Sequence, residues 1–127
     1  MAIDRLLDPR AIAIVGASDK IGPGFNAWKA LEHVGYQGKI YLVNPNAPEL
    51  FGRKTYPSLR DIDADVDAVF VAVRADRVLE IAAQAVDKRC GALAILSSGF
   101  GDAGDAGLQI QEDLARLARA HDIAVCG

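Results

Sequence analysis

AIAIVGASDKIGPG, the stretch from Ala11 to Gly24, combines a strand pattern, a glycine-bearing loop and the start of a helix. Ala11 to Val15 is an unbroken apolar run of strand length, and it stops at Gly16 before the helical pattern begins. Free amides and the dipole at a helix start favour an anion, and glycines let the backbone approach it closely. The stretch therefore predicts the phosphate-binding loop of a nucleotide-type α/β domain.

The glycine spacing in this loop leaves two interpretations open. Gly16, Gly22 and Gly24 do not match the GxGxxG fingerprint, so the loop identifies no particular cofactor. The alternative is a plain strand-to-helix turn that binds nothing.

Composition limits the classes of protein to which the chain can belong. Its 127 residues suffice for one domain, and a 51% hydrophobic but only 6% aromatic composition predicts an aliphatic core. The net charge is −3 and the basic residues are scattered, which argues against nucleic acid as a partner. No apolar run approaches the roughly 20 residues that span a bilayer, and residues 1–10 do not resemble a secretory signal. We expect a cytoplasmic protein with no membrane partner, in which Cys90 and Cys126 stay reduced.

Strand and helix patterns alternate along the rest of the chain. Further strands are predicted at Lys39–Asn44, Gly52–Pro57, Val66–Val73, Ala92–Leu96 and Asp122–Gly127. Helices are predicted at Phe25–Val34, after Asp76 as N-cap, and at Ala106–Ala120. This order predicts a single-domain, Rossmann-like, doubly wound parallel sheet in three α/β/α layers. The expected strand order is 3-2-1-4-5-6, with the short strand near Lys54 at the edge and an irregular loop from Asn44 to Leu50.

Two other residue patterns suggest a chemical site but have simpler structural explanations. Aspartates alternate with other residues from Asp61 to Asp67, but a solvated connection entering a strand explains them better than a metal site. His33 and His121 are expected at helix ends, and no Ser-His-Asp or Cys-His constellation can be assembled from them. We therefore predict no catalytic residue in this chain.

The residues after the second strand indicate whether the domain is suited to a nicotinamide cofactor. A dinucleotide-binding fold needs an acidic residue there to accept hydrogen bonds from the adenosine ribose. This chain has Asn44, Pro45 and Asn46 instead. A ligand with adenine, ribose and pyrophosphate that does not need the carboxylate still fits the crevice.

Four short motifs resemble the CoA-binding domain family, and more closely the amino-terminal domain of NDP-forming acyl-CoA synthetases, which is related to the succinyl-CoA synthetase α subunit. The motifs are VGAS at Val15–Ser18, VNP at Val43–Pro45, VDAVFVAV at Val66–Val73 and SSGFGD at Ser97–Asp102. They occur in the family's order and cover nearly the whole chain. The resemblance implies a Rossmann-like domain that binds coenzyme A across the carboxyl ends of its strands.

The resemblance also implies which residues bind CoA. The first loop would hold the phosphates or adenosine, through Gly16, Ala17, Ser18 and Lys20. The loop after the second strand would border the nucleotide through Asn44 and Pro45; in succinyl-CoA synthetases a lysine follows this proline, whereas Asn46 and Ala47 follow it here. Val73 and Arg74 match a segment that usually reads valine-proline, so Arg74 either contacts a phosphate or points to solvent. The pantetheine arm would be flanked by Ser97, Ser98 and Gly99.

The resemblance implies that residues 1–127 are the amino-terminal part of a longer synthetase. The domain would position CoA for thioester formation or cleavage, and further domains or subunits would carry the bond chemistry. The alternatives are a CoA-sensing domain of a protein acetyltransferase or a stand-alone CoA-binding protein; a dehydrogenase fragment is disfavoured by the missing acid. Replacing Gly16 with a bulky residue is expected to abolish CoA binding and leave most of the fold intact.

Overall fold

A computed structural model describes residues 8–96 and 105–126 of the chain. Its strands are β1 (Ala11–Val15), β2 (Lys39–Val43), β3 (Glu49–Leu50), β4 (Arg53–Tyr56), β5 (Ala68–Val71), β6 (Ala92–Ile95) and β7 (Ala124–Cys126). Its α-helices are α1 (Pro23–Val34), α2 (Val78–Asp87) and α3 (Asp105–Ala120). Within the described ranges these strands form one sheet in the order β3-β4-β2-β1-β5-β6-β7.

The predicted doubly wound sheet is confirmed, with one strand added at its edge. Every neighbouring pair is parallel except β3 and β4, where Glu49 pairs with Lys54 in an antiparallel hairpin. Phe51 and Gly52 both have positive φ, as a two-residue type I′ turn requires. The predictions of a loop from Asn44 to Leu50 and of an edge position for the strand near Lys54 are therefore wrong. β3 is too short to give a periodic signal in the sequence.

The sheet separates two hydrophobic clusters. β1 is buried on both faces, with Ile12 and Ile14 in the cluster on the α1 side and Ala13 and Val15 in the cluster that contains α2. α2 and α3 contact each other on that second side. The central strand is thus covered from both faces, which explains its unbroken apolar sequence.

Helix α1 agrees with its sequence pattern. It ends at Gly35, which has the left-handed φ of +70°, and the amides of Gly35 and Tyr36 donate to the last carbonyl groups of the helix. Trp28 is 7% exposed and stacks on Phe51 with ring centroids 4.8 Å apart. Its predicted place in the core is confirmed.

Helix α2 begins later than predicted. Ala75–Arg77 form a 3₁₀ turn, and the α-helix starts at Val78 with no side-chain cap. The Asp76 carboxylate lies 3.1 Å from the guanidinium of Arg74, so it pairs with that cation instead of capping the helix. The prediction of Asp76 as N-cap is therefore wrong.

Acidic residues before β5 hold backbone groups. The Asp67 carboxylate accepts hydrogen bonds from the amides of Arg10 and Ala11 at 2.9 and 3.2 Å. Asp61 accepts from the amide and hydroxyl of Ser58 at 3.1 and 3.0 Å, which closes the short 3₁₀ turn Leu59–Asp61. In the described ranges no helix is long and apolar enough to span a bilayer.

Candidate functional site

A pocket of about 210 Å³ opens at the carboxyl-terminal edge of the sheet. β1 and β5 are neighbours there, and the helices that follow them cover opposite faces, which is where ligands bind in doubly wound folds. Four loops and α2 supply the lining: Val15, Gly16, Ala17, Ser18, Val43, Asn44, Pro45, Asn46, Pro57, Ser58, Val73, Arg77, Ile81 and Gln84.

The pocket brings together most of the predicted binding positions. Those that line it are Gly16, Ala17, Ser18, Asn44, Pro45 and Val73. Lys20 and Arg74 are not among the lining residues, and the Arg74 side chain is 84% exposed beside Asp76. The predicted positions Ser97, Ser98 and Gly99 lie outside the described residues.

Gly16 is required by the fold itself. Its φ is +91°, and a Cβ atom there would lie 2.2 Å from the carbonyl oxygen of Ala72. A larger residue would therefore displace the backbone after β5 as well as the loop. The expectation that a bulky substitution at Gly16 leaves most of the fold intact is wrong.

Two amides of the first loop are already paired. The amides of Gly16 and Ala17 both donate to the carbonyl oxygen of Val43, at 3.1 and 3.3 Å. α1 begins with Pro23, which has no N–H to donate, and no α1 residue belongs to the described pocket lining. The pocket thus lies on the α2 side of the sheet, and an anion there would meet side chains before it meets these amides.

Asn44 connects two loops and the end of a strand at the pocket wall. Its Nδ2 donates to the carbonyl oxygen of Ala17 at 2.9 Å, and its Oδ1 accepts from the amide of Asn46 at 2.7 Å. The Asn44 amide also donates to the carbonyl oxygen of Tyr56. One residue therefore ties its own loop after β2 to the loop after β1 and to the end of β4.

Sequence reasoning missed the contribution of α2. Arg77, in the 3₁₀ turn before α2, and Gln84, in α2, line the pocket, and neither is among the predicted site residues. Gln84 follows Ile81 by three positions, so a polar residue on the buried stripe of a helix was the available signal. No sequence signal indicated Arg77, because the direction of its side chain depends on the 3₁₀ turn before α2.

The charge of the lining suits an anionic ligand. Arg77 is the charged residue among the described lining residues, and none of them is acidic. Its Nε lies 3.2 Å from a Glu80 carboxylate oxygen, and both side chains are about half exposed. Such a solvated pair holds Arg77 weakly, so the guanidinium can turn to a phosphate.

Comparison with known proteins gives consistent matches over this chain. The sequence model of a family described as CoA binding domain matches residues 10–127. An ADP-forming acetate–CoA ligase II of Archaeoglobus fulgidus is 39% identical over 96% of this chain. The alpha subunit of an ADP-forming acetate–CoA ligase I from Pyrococcus furiosus is 34% identical over 100% of it.

A solved structure matches the fold as well. It is described as the dinucleotide forming acetyl-coenzyme A synthetase 1 of Ca. Korarchaeum cryptofilum in complex with phosphate and ADP, with 31% identity, a TM-score of 0.88 and coverage of 100% of this chain. This chain spans 18% of the Archaeoglobus enzyme, 29% of the Pyrococcus subunit and 27% of the Korarchaeum chain.

Proposed function

This chain belongs to the CoA-binding domain family, and on that premise we propose that it binds coenzyme A in the pocket at the carboxyl-terminal edge of the sheet. One observation carries the proposal: Gly16–Ser18, Asn44–Pro45 and Val73 come from three separate loops and converge on this pocket. CoA is bound here as a substrate to be positioned, and not as a resident cofactor.

The lining residues fall into two groups, those that form the pocket wall and those that lie at its solvent-exposed mouth. Gly16, Ala17, Asn44 and Pro45 form a wall that is held by backbone hydrogen bonds and by the side-chain amide of Asn44. The exposed Arg77 is placed to meet a phosphate, and it replaces Arg74 as the preferred cation because Arg77 lines the pocket. Lys20 and Arg74 remain candidates for phosphates outside the pocket, and Ser97, Ser98 and Gly99 for the pantetheine arm.

The role of Asn44 argues against a nicotinamide cofactor. Its amide and carbonyl ends are both used by backbone groups, at 2.9 and 2.7 Å. The position where a dinucleotide fold has its ribose-binding carboxylate is thus occupied by a neutral side chain with a structural task.

We further propose that the chain is the CoA-positioning domain of an ADP-forming acid–CoA ligase. The acetate–CoA ligases that it matches support this, and the chain covers less than a third of each. The thioester bond would then form or break with groups on other domains or subunits, while this domain holds CoA. Formation of ATP from acetyl-CoA, ADP and phosphate by the full-length protein is the activity that separates a ligase from a CoA sensor.

The binding proposal is tested by calorimetric titration of the chain with CoA, NAD and ATP at low salt, using wild type and Arg77→Ala. We expect selective binding of CoA and an approximately tenfold weaker affinity in Arg77→Ala, because a charge-assisted hydrogen bond to phosphate is lost. The difference in CoA affinity between wild type and Arg77→Ala should shrink as salt is added, since the contact between Arg77 and the phosphate is partly exposed to solvent.

A matched control is available on α3. Arg116 forms the same kind of exposed pair three residues away, with its guanidinium 3.2 Å from Asp113, and it does not line the pocket. Arg116→Ala should bind CoA as wild type does. Binding of NAD alone, or of none of the three ligands, would contradict the proposed function; equal losses in both variants would contradict the role of Arg77.

A further inference from the structure

Large apolar side chains are exposed at the edge of the sheet where the pocket opens. Among the described residues, the exposed large apolar side chains are those of Ile21, Val34, Leu96, Leu108 and Val125. Three of them lie at the carboxyl-terminal edge: Ile21 precedes α1, Leu96 follows β6, and Leu108 is in the first turn of α3. Single exposed apolar residues are ordinary on a protein surface, so the informative observation is that these three share the surface that carries the pocket.

Ile21 is the most exposed of these side chains, at 93%. The backbone on both sides of it is held by hydrogen bonds. The Lys20 amide donates to the Ser18 hydroxyl oxygen at 3.0 Å, and beyond Ile21 the Asn26 amide donates to the Gly22 carbonyl oxygen at 2.8 Å. The loop therefore presents an aliphatic side chain to solvent from a fixed backbone, and a contact group that is fixed in advance loses less entropy on binding.

The pocket lining lacks the groups that thioester chemistry needs. None of its described residues is a histidine, a cysteine or an acid, so they offer no general base and no activated nucleophile. Under the proposed function, the group that reacts with the thiol of CoA belongs to another domain or subunit of the ligase. That domain must approach the carboxyl-terminal edge, because the pocket opens there.

We propose that Ile21, Leu96 and Leu108 form the surface on which the thiol-reacting domain of the ligase docks over bound CoA. The matching surface of that domain is apolar, because an exposed aliphatic side chain gains free energy by burial against apolar groups. This inference rests on the proposed function, since it names the partner that meets the same pocket. The relatives contain ample further chain for such a domain, since this chain spans 18% of the Archaeoglobus enzyme and 29% of the Pyrococcus subunit.

The first test uses the complete ligase, with all its domains and subunits, carrying Ile21→Ser or Leu108→Ser. Calorimetric titration with CoA should give the wild-type affinity, because neither side chain is among the described lining residues. Formation of ATP from acetyl-CoA, ADP and phosphate should fall about tenfold in each variant, because loss of an apolar anchor weakens docking of the reacting domain.

A matched control lies at the opposite edge of the sheet. Val34 is 72% exposed, and it is the last residue of α1. Val34→Ser removes a similar aliphatic surface there, and it should leave both the CoA affinity and the rate of ATP formation at their wild-type values. Thermal unfolding of each variant checks its fold, and Ile21→Ala provides a second truncation if Ile21→Ser is destabilised.

A second test detects the contact directly. A photoactivatable phenylalanine analogue is placed at position 21 of the complete ligase or, as the control, at position 34, and the protein is irradiated in the presence of CoA. Mass spectrometry should find position 21 joined to a residue outside positions 1–127 of the same enzyme. Position 34 should give no such product.

The outcomes separate this inference from the proposed function. Wild-type rates of ATP formation in both serine variants overturn the docking surface and leave CoA binding established. The same holds if position 21 gives no product, or gives one only with CoA, with residues 1–127 or with a second copy of this chain. Lower CoA affinity in Ile21→Ser would make Ile21 a ligand contact instead. A complete wild-type protein that binds no CoA, or binds it without forming ATP, overturns the proposed function and this inference together.

Discussion

Just after β2, Asn44 uses one end of its side-chain amide on the loop after β1 and the other end on its own loop. The donor end binds the carbonyl oxygen of Ala17 and the acceptor end binds the amide of Asn46. An aspartate has the same shape but cannot donate, so the residue type matters here for a structural reason. The pocket wall depends on this single amide.

Asn44→Asp should therefore destabilise the protein and weaken CoA binding together. The substitution places a carboxylate beside the carbonyl oxygen of Ala17 and removes one hydrogen bond, for which we expect a loss of about 1–2 kcal/mol in the free energy of unfolding. Its added negative charge also repels the phosphates of CoA. Urea denaturation and calorimetric titration measure the two effects, and wild-type values in both would contradict the role of Asn44 as a loop connector.

Between elements, the closest approach near the site is that of α1 to the loop after β1. A Cβ atom on Gly24, in the first turn of α1, would lie 2.0 Å from the carbonyl oxygen of Gly16. The helix can pack this closely on the loop only because that position has no side chain. Gly22, immediately before the helix, has an extended backbone. A Cβ atom on Gly22 would lie 4.0 Å from its nearest neighbour, the carbonyl oxygen of Lys20.

These two glycines provide a matched pair of variants. Gly24→Ala should lower the free energy of unfolding by about 1–3 kcal/mol, because the helix must move away from the loop. Gly22→Ala should change it by less than about 1 kcal/mol, since there is space for the methyl group. Urea denaturation of both proteins tests the difference, and equal stabilities would show that the contact between α1 and the loop is not as tight as described.

Over the whole molecule, the edge of the sheet opposite the pocket anchors the segment that enters β1. The Tyr36 hydroxyl donates to the carbonyl oxygen of Pro9 at 2.8 Å, and the Asp67 carboxylate holds the next two amides. Burial, followed by the negative charges of Asp67 and Asp8, raises the pKa of Tyr36 above its ordinary value of 10.0. The native state therefore favours the protonated phenol.

This shift links the stability of the fold to alkaline pH. The contribution of Tyr36 to the free energy of unfolding is fully present below its unfolded-state pKa of 10.0. This contribution is lost as the pH rises through the higher folded-state pKa. Wild type should lose stability above about pH 10 more steeply than Tyr36→Phe. At neutral pH Tyr36→Phe should be about 1 kcal/mol less stable, because its hydrogen bond to Pro9 is missing.

Urea denaturation of both proteins at neutral pH and above pH 10 measures this linkage. The difference in the free energy of unfolding between wild type and Tyr36→Phe should narrow at alkaline pH. Ionisation of the other tyrosines does not affect this difference, because both proteins contain them. Parallel stability curves would show that Tyr36 titrates as it does in the unfolded chain.

The sequence alone determined the class of fold and its strand order from the short strand near Lys54 to the last strand, and it predicts the edge of the sheet at which a ligand would bind. These follow from local properties: apolar runs of strand length, helical spacing, and loops that leave the carboxyl ends of parallel strands. These properties place the loops at Gly16 and Asn44 at this edge, the family resemblance adds Val73, and all three line the pocket.

Only the tertiary structure decided how the site is built. The amides of Gly16 and Ala17 are paired with Val43, a partner distant in sequence, and no local pattern could indicate this. The fact that Arg77 lines the pocket, whereas Arg74 does not, depends on how the 3₁₀ turn leads into α2, and the lack of a partner for the Gln84 oxygen among the described residues depends on what surrounds it. Periodicity reports which face of an element is buried, whereas hydrogen-bond partners depend on distances between elements that only the folded chain establishes.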